Sequence, residues 1–184
     1  MDANSVESDI RYVRGLVDRS SSGSIPASVF LLWAVLVLAG FAMVDFAPRQ
    51  TALFWMIAGP GGGLLSGLLG RRAGVRMGQL DRETGIRHSL HWGGMMLVVI
   101  LAVMLAVRGF VQGTVLSQVI LLVVAMGWWG AGVHFDRSFL LLGGVMMAGF
   151  VATLFALPYA WTATGVLTAA SLVVIALGRR RRDA

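Results

Sequence analysis

Four side chains in this sequence have the types and spacing that could do chemistry: His88, His91, His134 and Asp136. His88 and His91 are three residues apart, so on a helix they share one face. His134 and Asp136 belong to a second short polar stretch, His134-Phe135-Asp136-Arg137. Three imidazoles and a carboxylate are a reasonable ligand set for Zn²⁺, Ni²⁺ or Fe²⁺, and a histidine pair can ligate haem iron. A transition metal or haem is thus the cofactor these residues would take. Two other uses compete with it. Histidine and tryptophan rings favour membrane interfaces, and Trp92, Trp128 and Trp129 fall at the same level. Imidazoles also titrate near neutrality and suit a pH-responsive contact.

Other chemistry finds little support. The histidine pair has no glutamate beside it and so lacks a hydrolase pattern. There is no cysteine, which excludes thiolate metal sites, Fe–S clusters and cysteine nucleophiles. All fifteen basic residues are arginines, so no lysine Schiff base can form. The run AGPGGGLLSGLLG at 58–70 lacks the Gly-Lys-Ser/Thr ending of a phosphate-binding loop. No Ser–His pairing, carboxylate dyad or nucleotide motif is present, and a non-catalytic protein is the expectation.

The elements that must position these residues are membrane spans. Of 184 residues, 57% are hydrophobic and only 13% charged, against about 45–50% and about 25% in soluble domains. Such a chain cannot cover itself with polar surface, and the lipid bilayer is its first partner. The apolar runs predict an all-α polytopic integral membrane protein: a bundle of six transmembrane helices over 25–178, with spans near 29–46, 52–70, 89–107, 113–130, 138–157 and 160–178. A basic tail follows at 179–184, and at about 20 residues per span the loops and tails together are expected to hold too little chain for a separate soluble domain. Residues 71–94 read as the main loop between the second and third spans.

Before the first span, Val6, Ile10, Val13 and Val17 recur at helical spacing, with a capping pair at Asn4 and Glu7. They predict an amphipathic helix over 5–19, lying on the membrane surface or docking a partner. The Ser/Gly stretch 20–24 joins it to Pro26, where a helix can begin. Within the second span, Gly59, Gly63 and Gly67 recur every four residues, with Gly62, Ser66 and Gly70 on an adjacent row. Small residues at this spacing let another helix backbone come close, in the same chain or in a second copy. Gly63→Leu is accordingly expected to be far more disruptive than Gly165→Leu. Gln118, the strongly polar side chain inside the fourth span, is expected to bond a neighbouring helix. Asp45 is expected to reach the headgroups. Aligning the third and fifth spans superposes Gly93-Gly94 on Gly143-Gly144 and Met96 on Met146, a faint repeat.

Arginine positions predict the orientation. With the N-terminus inside, thirteen arginines lie on the cytoplasmic side and only Arg49 and Arg108 on the other. Net charge of +6 then reflects the membrane and not nucleic acid. The general form is that of a small bacterial inner (plasma) membrane protein with both termini cytoplasmic. Three functions fit: a scaffold, regulator or complex subunit with a cytosolic or membrane partner; a small transporter or channel for a neutral solute; a metal- or haem-binding protein. The transport reading is weakened because no ionisable group need lie deep in the membrane. The chain has no native thiol, so Arg82→Cys places a single label site: it should react with a membrane-impermeant maleimide only after the cytoplasmic face is opened, and labelling of intact cells would overturn the orientation.

Overall fold

The computed structural model describes residues 25–77 and 82–183. Six helices follow one another: α1 (Ala27–Phe46), α2 (Pro48–Met77), α3 (Arg82–Val107), α4 (Gly113–His134), α5 (Ser138–Leu154) and α6 (Ala160–Asp183). Among the described residues there is no strand, and five of the six helices are long and apolar enough to cross a membrane. The protein is an all-α polytopic membrane bundle. The exception in length is α5, with 17 residues, at the lower limit of what a bilayer core of about 30 Å needs. The amphipathic segment carrying Val6, Ile10, Val13 and Val17 lies outside the described residues.

Most of the stretch expected as a loop is helix. α2 runs on through Arg71 and Arg72 to Met77, and α3 begins at Arg82. Arginine is a good helix former, and Glu83 and Arg87 pair one turn apart at 2.6 Å. A helix need not end where it leaves hydrocarbon, because its internal hydrogen bonds serve equally well in water. Pro60 sits inside α2 without ending it, as membrane helices allow.

The helices pack as a chain of neighbours that differs from their order in sequence. α1 and α6 share the largest contact; α2 lies on the other side of α1, α5 lies on α6, α4 on α5, and α3 on α4. α1, α4, α5 and α6 form the core. Phe30, Ala34, Phe139, Leu142, Leu172 and Ala176 fill one half of it, and Val37, Phe41, Leu121, Ala125 and Met146 the other. Burial separates core from flank: 44% of the α6 span and 33% of the α1 span are buried, but only 6% of the α2 and α3 spans. α2 and α3 make no contact with each other among the described residues.

Close approach within the core depends on small residues. A methyl group on Gly165 would meet the Cβ of Phe41 at 2.7 Å, and one on Gly143 would meet the backbone nitrogen of Trp129 at 2.7 Å. One on Gly149 would collide with Thr164. α2 approaches α1 through Gly62, which faces Leu36, and through Ser66, whose hydroxyl accepts from the Trp33 indole at 2.9 Å. Gly59, Gly63 and Gly67 face open space. The expected ranking of Gly63 and Gly165 is therefore reversed for folding: four-residue spacing marks a smooth ridge, but only a neighbour makes it an interface. The Gly-Gly pairs of the supposed repeat also differ, since Gly93 and Gly94 are open where Gly143 is packed.

Two helices end in the same way. α3 closes with Gly109 N–H to Ala106 and Phe110 N–H to Leu105; α5 closes with Ala156 N–H to Thr153 and Leu157 N–H to Ala152. This paired closure needs a left-handed residue. Gly109 supplies it freely at φ 79°, whereas Ala156 holds φ 51° at a cost of roughly 1 kcal/mol. Ending α5 there, short of the expected Leu157, leaves Pro158 and Tyr159 to turn the chain into α6.

Gly165→Leu should lower the stability of the purified protein by about 3 kcal/mol or more, because backbone-level overlap with α1 cannot be relieved by a rotamer change. Gly63→Leu should leave it within ~0.5 kcal/mol. Thermal unfolding of the two variants in the same detergent measures the difference, and equal losses would contradict this packing.

Candidate functional site

The histidine pair is set by the face α3 turns to α4. His88, His91, Trp92 and Met95 follow the three- and four-residue steps of one helical stripe. Trp92 packs edge-on against Trp128 at 4.7 Å. Met95 lies over Gly127, where any side chain would displace it. His91 contacts the carbonyl of that same glycine through Nε2 at 2.9 Å. A carbonyl only accepts, so Nε2 is the donor in this contact.

Phe135, just past the end of α4, receives both histidines. Its ring centroid lies 4.1 Å from that of His88 and 5.4 Å from that of His91. The Nδ1 of His88 is buried without a hydrogen-bond partner among the described residues. His134 is exposed at the last position of α4. Asp136 is engaged elsewhere: one carboxylate oxygen accepts from the Ser138 backbone N–H at 2.9 Å, opening α5, and the other pairs with Arg179. Among the described residues no three His, Asp or Glu side chains are grouped to hold a metal ion. Of the four residues singled out by type and spacing, the structure brings His88 and His91 together and puts an aromatic ring against them. Two imidazoles from one helix fall short of the four donors a closed Zn²⁺ site requires.

The strongest polar centre at this end is Arg179, the first of the four C-terminal arginines. One guanidinium nitrogen donates to the carbonyl of Ile25 at 3.2 Å, and another pairs with Asp136. Its carbon lies 4.8 Å from the Phe30 ring centroid and 5.8 Å from that of Phe139. These two rings are themselves in contact, with centroids 5.9 Å apart. Arg179 thus ties the chain entering α1, the turn between α4 and α5, and α6 into one junction. Charge, five fixed donors and a stacking plane make arginine suited to this, and lysine much less so. Position in a basic run gave no hint of it.

At the opposite end Asp45 performs a similar task. Its carboxylate accepts from the Thr162 N–H at 2.8 Å and the Thr162 hydroxyl at 2.6 Å. Thr162 lies in the first turn of α6, where backbone N–H groups lack helical partners and a negative charge is favourable. The expectation that Asp45 reaches the headgroups is replaced by a cap supplied from α1. Gln118 behaves as expected, donating from Nε2 to the Thr153 carbonyl on α5 at 3.2 Å.

Comparison of the chain with protein-family models, with curated proteins and with solved structures finds no match. Function must be argued from the arrangement itself. What the arrangement offers is a well-tied four-helix core with two flanking helices.

Arg179→Ala removes a charge-assisted pair, a carbonyl contact and two ring contacts together. It should cost about 2–3 kcal/mol, and Asp136→Asn clearly less, because the Ile25 and ring contacts survive. Chemical unfolding in mixed micelles, followed by tryptophan fluorescence, checks the order. An Asp136→Asn loss equal to that of Arg179→Ala would mean that the ion pair carries the whole junction.

Proposed function

We propose that this protein is a non-catalytic membrane subunit, a scaffold or regulator, that assembles laterally with another membrane-spanning chain through α2. The supporting observation is the division of labour on α2. Its Gly62 and Ser66 row is occupied by α1, while the Gly59, Gly63 and Gly67 row is open on a helix whose span is only 6% buried. In lipid, apolar side chains gain little by leaving acyl chains for one another. Close backbone approach along a glycine row is one of the few contacts that hold helices together there, and the occupant this ridge favours is a partner helix, from a second copy or a different subunit.

On this reading the protein sits in the inner (plasma) membrane of a bacterial cell with both termini cytoplasmic, following the bias of thirteen arginines against two. The N-terminal segment and the basic ends of α2 and α3 then face the cytosol, available to a soluble partner. Nucleic acid is not required to account for the charge.

Mass determination of the protein in detergent and in native nanodiscs tests the assembly. The expected result is a species larger than the monomer, a homo-oligomer or a complex with a co-purifying membrane protein, which Gly63→Leu reduces to monomer at unchanged thermal stability. A wild-type protein that is monomeric and alone in nanodiscs, with Gly63→Leu indistinguishable from it, would end this reading.

A further inference from the structure

A second face of α2 carries a different feature. Leu68, Arg71, Arg72 and Val75 line a shallow depression near the end of the helix. Their spacing of three, four and seven residues puts them on one stripe. At about 100° per residue, this stripe lies roughly opposite Gly62 and Ser66, and so faces away from α1. Arg71 stands four residues beyond Gly67, at the end of the glycine ridge, while Leu68, Arg72 and Val75 turn away from that ridge.

Three observations say what covers it. Leu68 and Val75 are 55% and 60% exposed, giving the depression apolar walls on either side of two exposed guanidiniums. Arg71 and Arg72 make no ion pair among the described residues, where Asp45, Glu83 and Asp136 are engaged with Thr162, Arg87 and Arg179. Depth supplies the third. Arg71 stands 23 residues beyond Pro48, the first residue of α2, which is about 35 Å along the axis at 1.5 Å per residue. The hydrocarbon core is about 30 Å thick. With Pro48 set at one boundary of that core, the guanidiniums fall at the level of lipid phosphates, with Leu68 on the acyl-chain side of them.

We propose that this depression binds an anionic phospholipid, its headgroup phosphate bridging Arg71 and Arg72 and its first acyl carbons lying against Leu68. Guanidinium matches phosphate oxygens in pairs. Two positive charges against one phosphate favour a headgroup that brings no cation of its own, so a phosphatidylglycerol-type lipid outcompetes a phosphatidylcholine-type one.

Native mass spectrometry of the full chain, with each lipid titrated into detergent, tests this. The wild type should retain phosphatidylglycerol in preference to phosphatidylcholine. R71Q/R72Q should weaken that retention by about 30-fold, equivalent to ~1 kcal/mol for each arginine at an anionic surface. R49Q/R108Q, which removes the same charge at the other end, should leave it unchanged. R71K/R72K, which keeps the positive charge of the α2 end, should hold the lipid at an intermediate level and guards against a folding or topology defect in the glutamine variant. Equal retention of both lipids by the wild type, or equal losses in R71Q/R72Q and R49Q/R108Q, would overturn the site. Displacement of the lipid by millimolar inorganic phosphate would also overturn it, since the ligand would then be a free anion.

Discussion

The structure depends first on the pairing of α1 with α6, helices at the two ends of the spanning region. Their contact is the largest in the bundle, and Gly165 lets α6 come close beneath Phe41. Each end of the pair is fastened by a charge. Asp45 caps the start of α6 at one end, and Arg179 reaches back to Ile25 at the other. Hydrophobic pressure between helices is weak in lipid, so dispersion at close range and a few polar ties must do what burial does in water. Both occur here in one helix pair.

The remaining architecture follows from that closure. Joining the first and last helices brings α5 and α4 against the same core through α6, and the junction at Arg179 draws in the turn that starts α5 through Asp136. Phe30 and Phe139, buried against each other beneath the guanidinium, make this junction apolar on one side and charged on the other. α2 and α3 are left as flanks. Each holds the core by one narrow stripe, α2 through Trp55, Gly62 and Ser66, α3 through His91, Trp92 and Met95. Their outer faces, only 6% buried over the spans, are where the protein meets its surroundings.

The histidines illustrate how residues picked out by spacing take on packing contacts in the fold. Spacing placed His88 and His91 on one face, and in the fold that face is the α3–α4 contact. Yet the neighbours the rings meet are Phe135 and the Gly127 carbonyl, and Asp136 is held by Arg179 and Ser138. A metal site needs donors aimed at one point, and residue type and proximity in sequence do not supply aim.

By itself the sequence determined the membrane class, the six helices, the limits at Phe46, Val107, Gly113, Ser138 and Ala160, and the bonding of Gln118 to a neighbour. These depend on composition and on local periodicity, which the bilayer enforces because every backbone group in hydrocarbon must be satisfied within its own helix. It misread 71–94 as a loop, since polarity marks the edge of the membrane and not the end of a helix. Tertiary structure alone decided which glycine row packs against α1, that Gly165 lies against Phe41 while Gly63 is open, that Asp45 caps α6, and that Arg179 is a junction while Arg71 and Arg72 are not paired among the described residues. Each of these is a question of which partner stands opposite. Residues 117 or 154 positions apart in the chain become neighbours only when α6 docks on α1, and no local pattern encodes that.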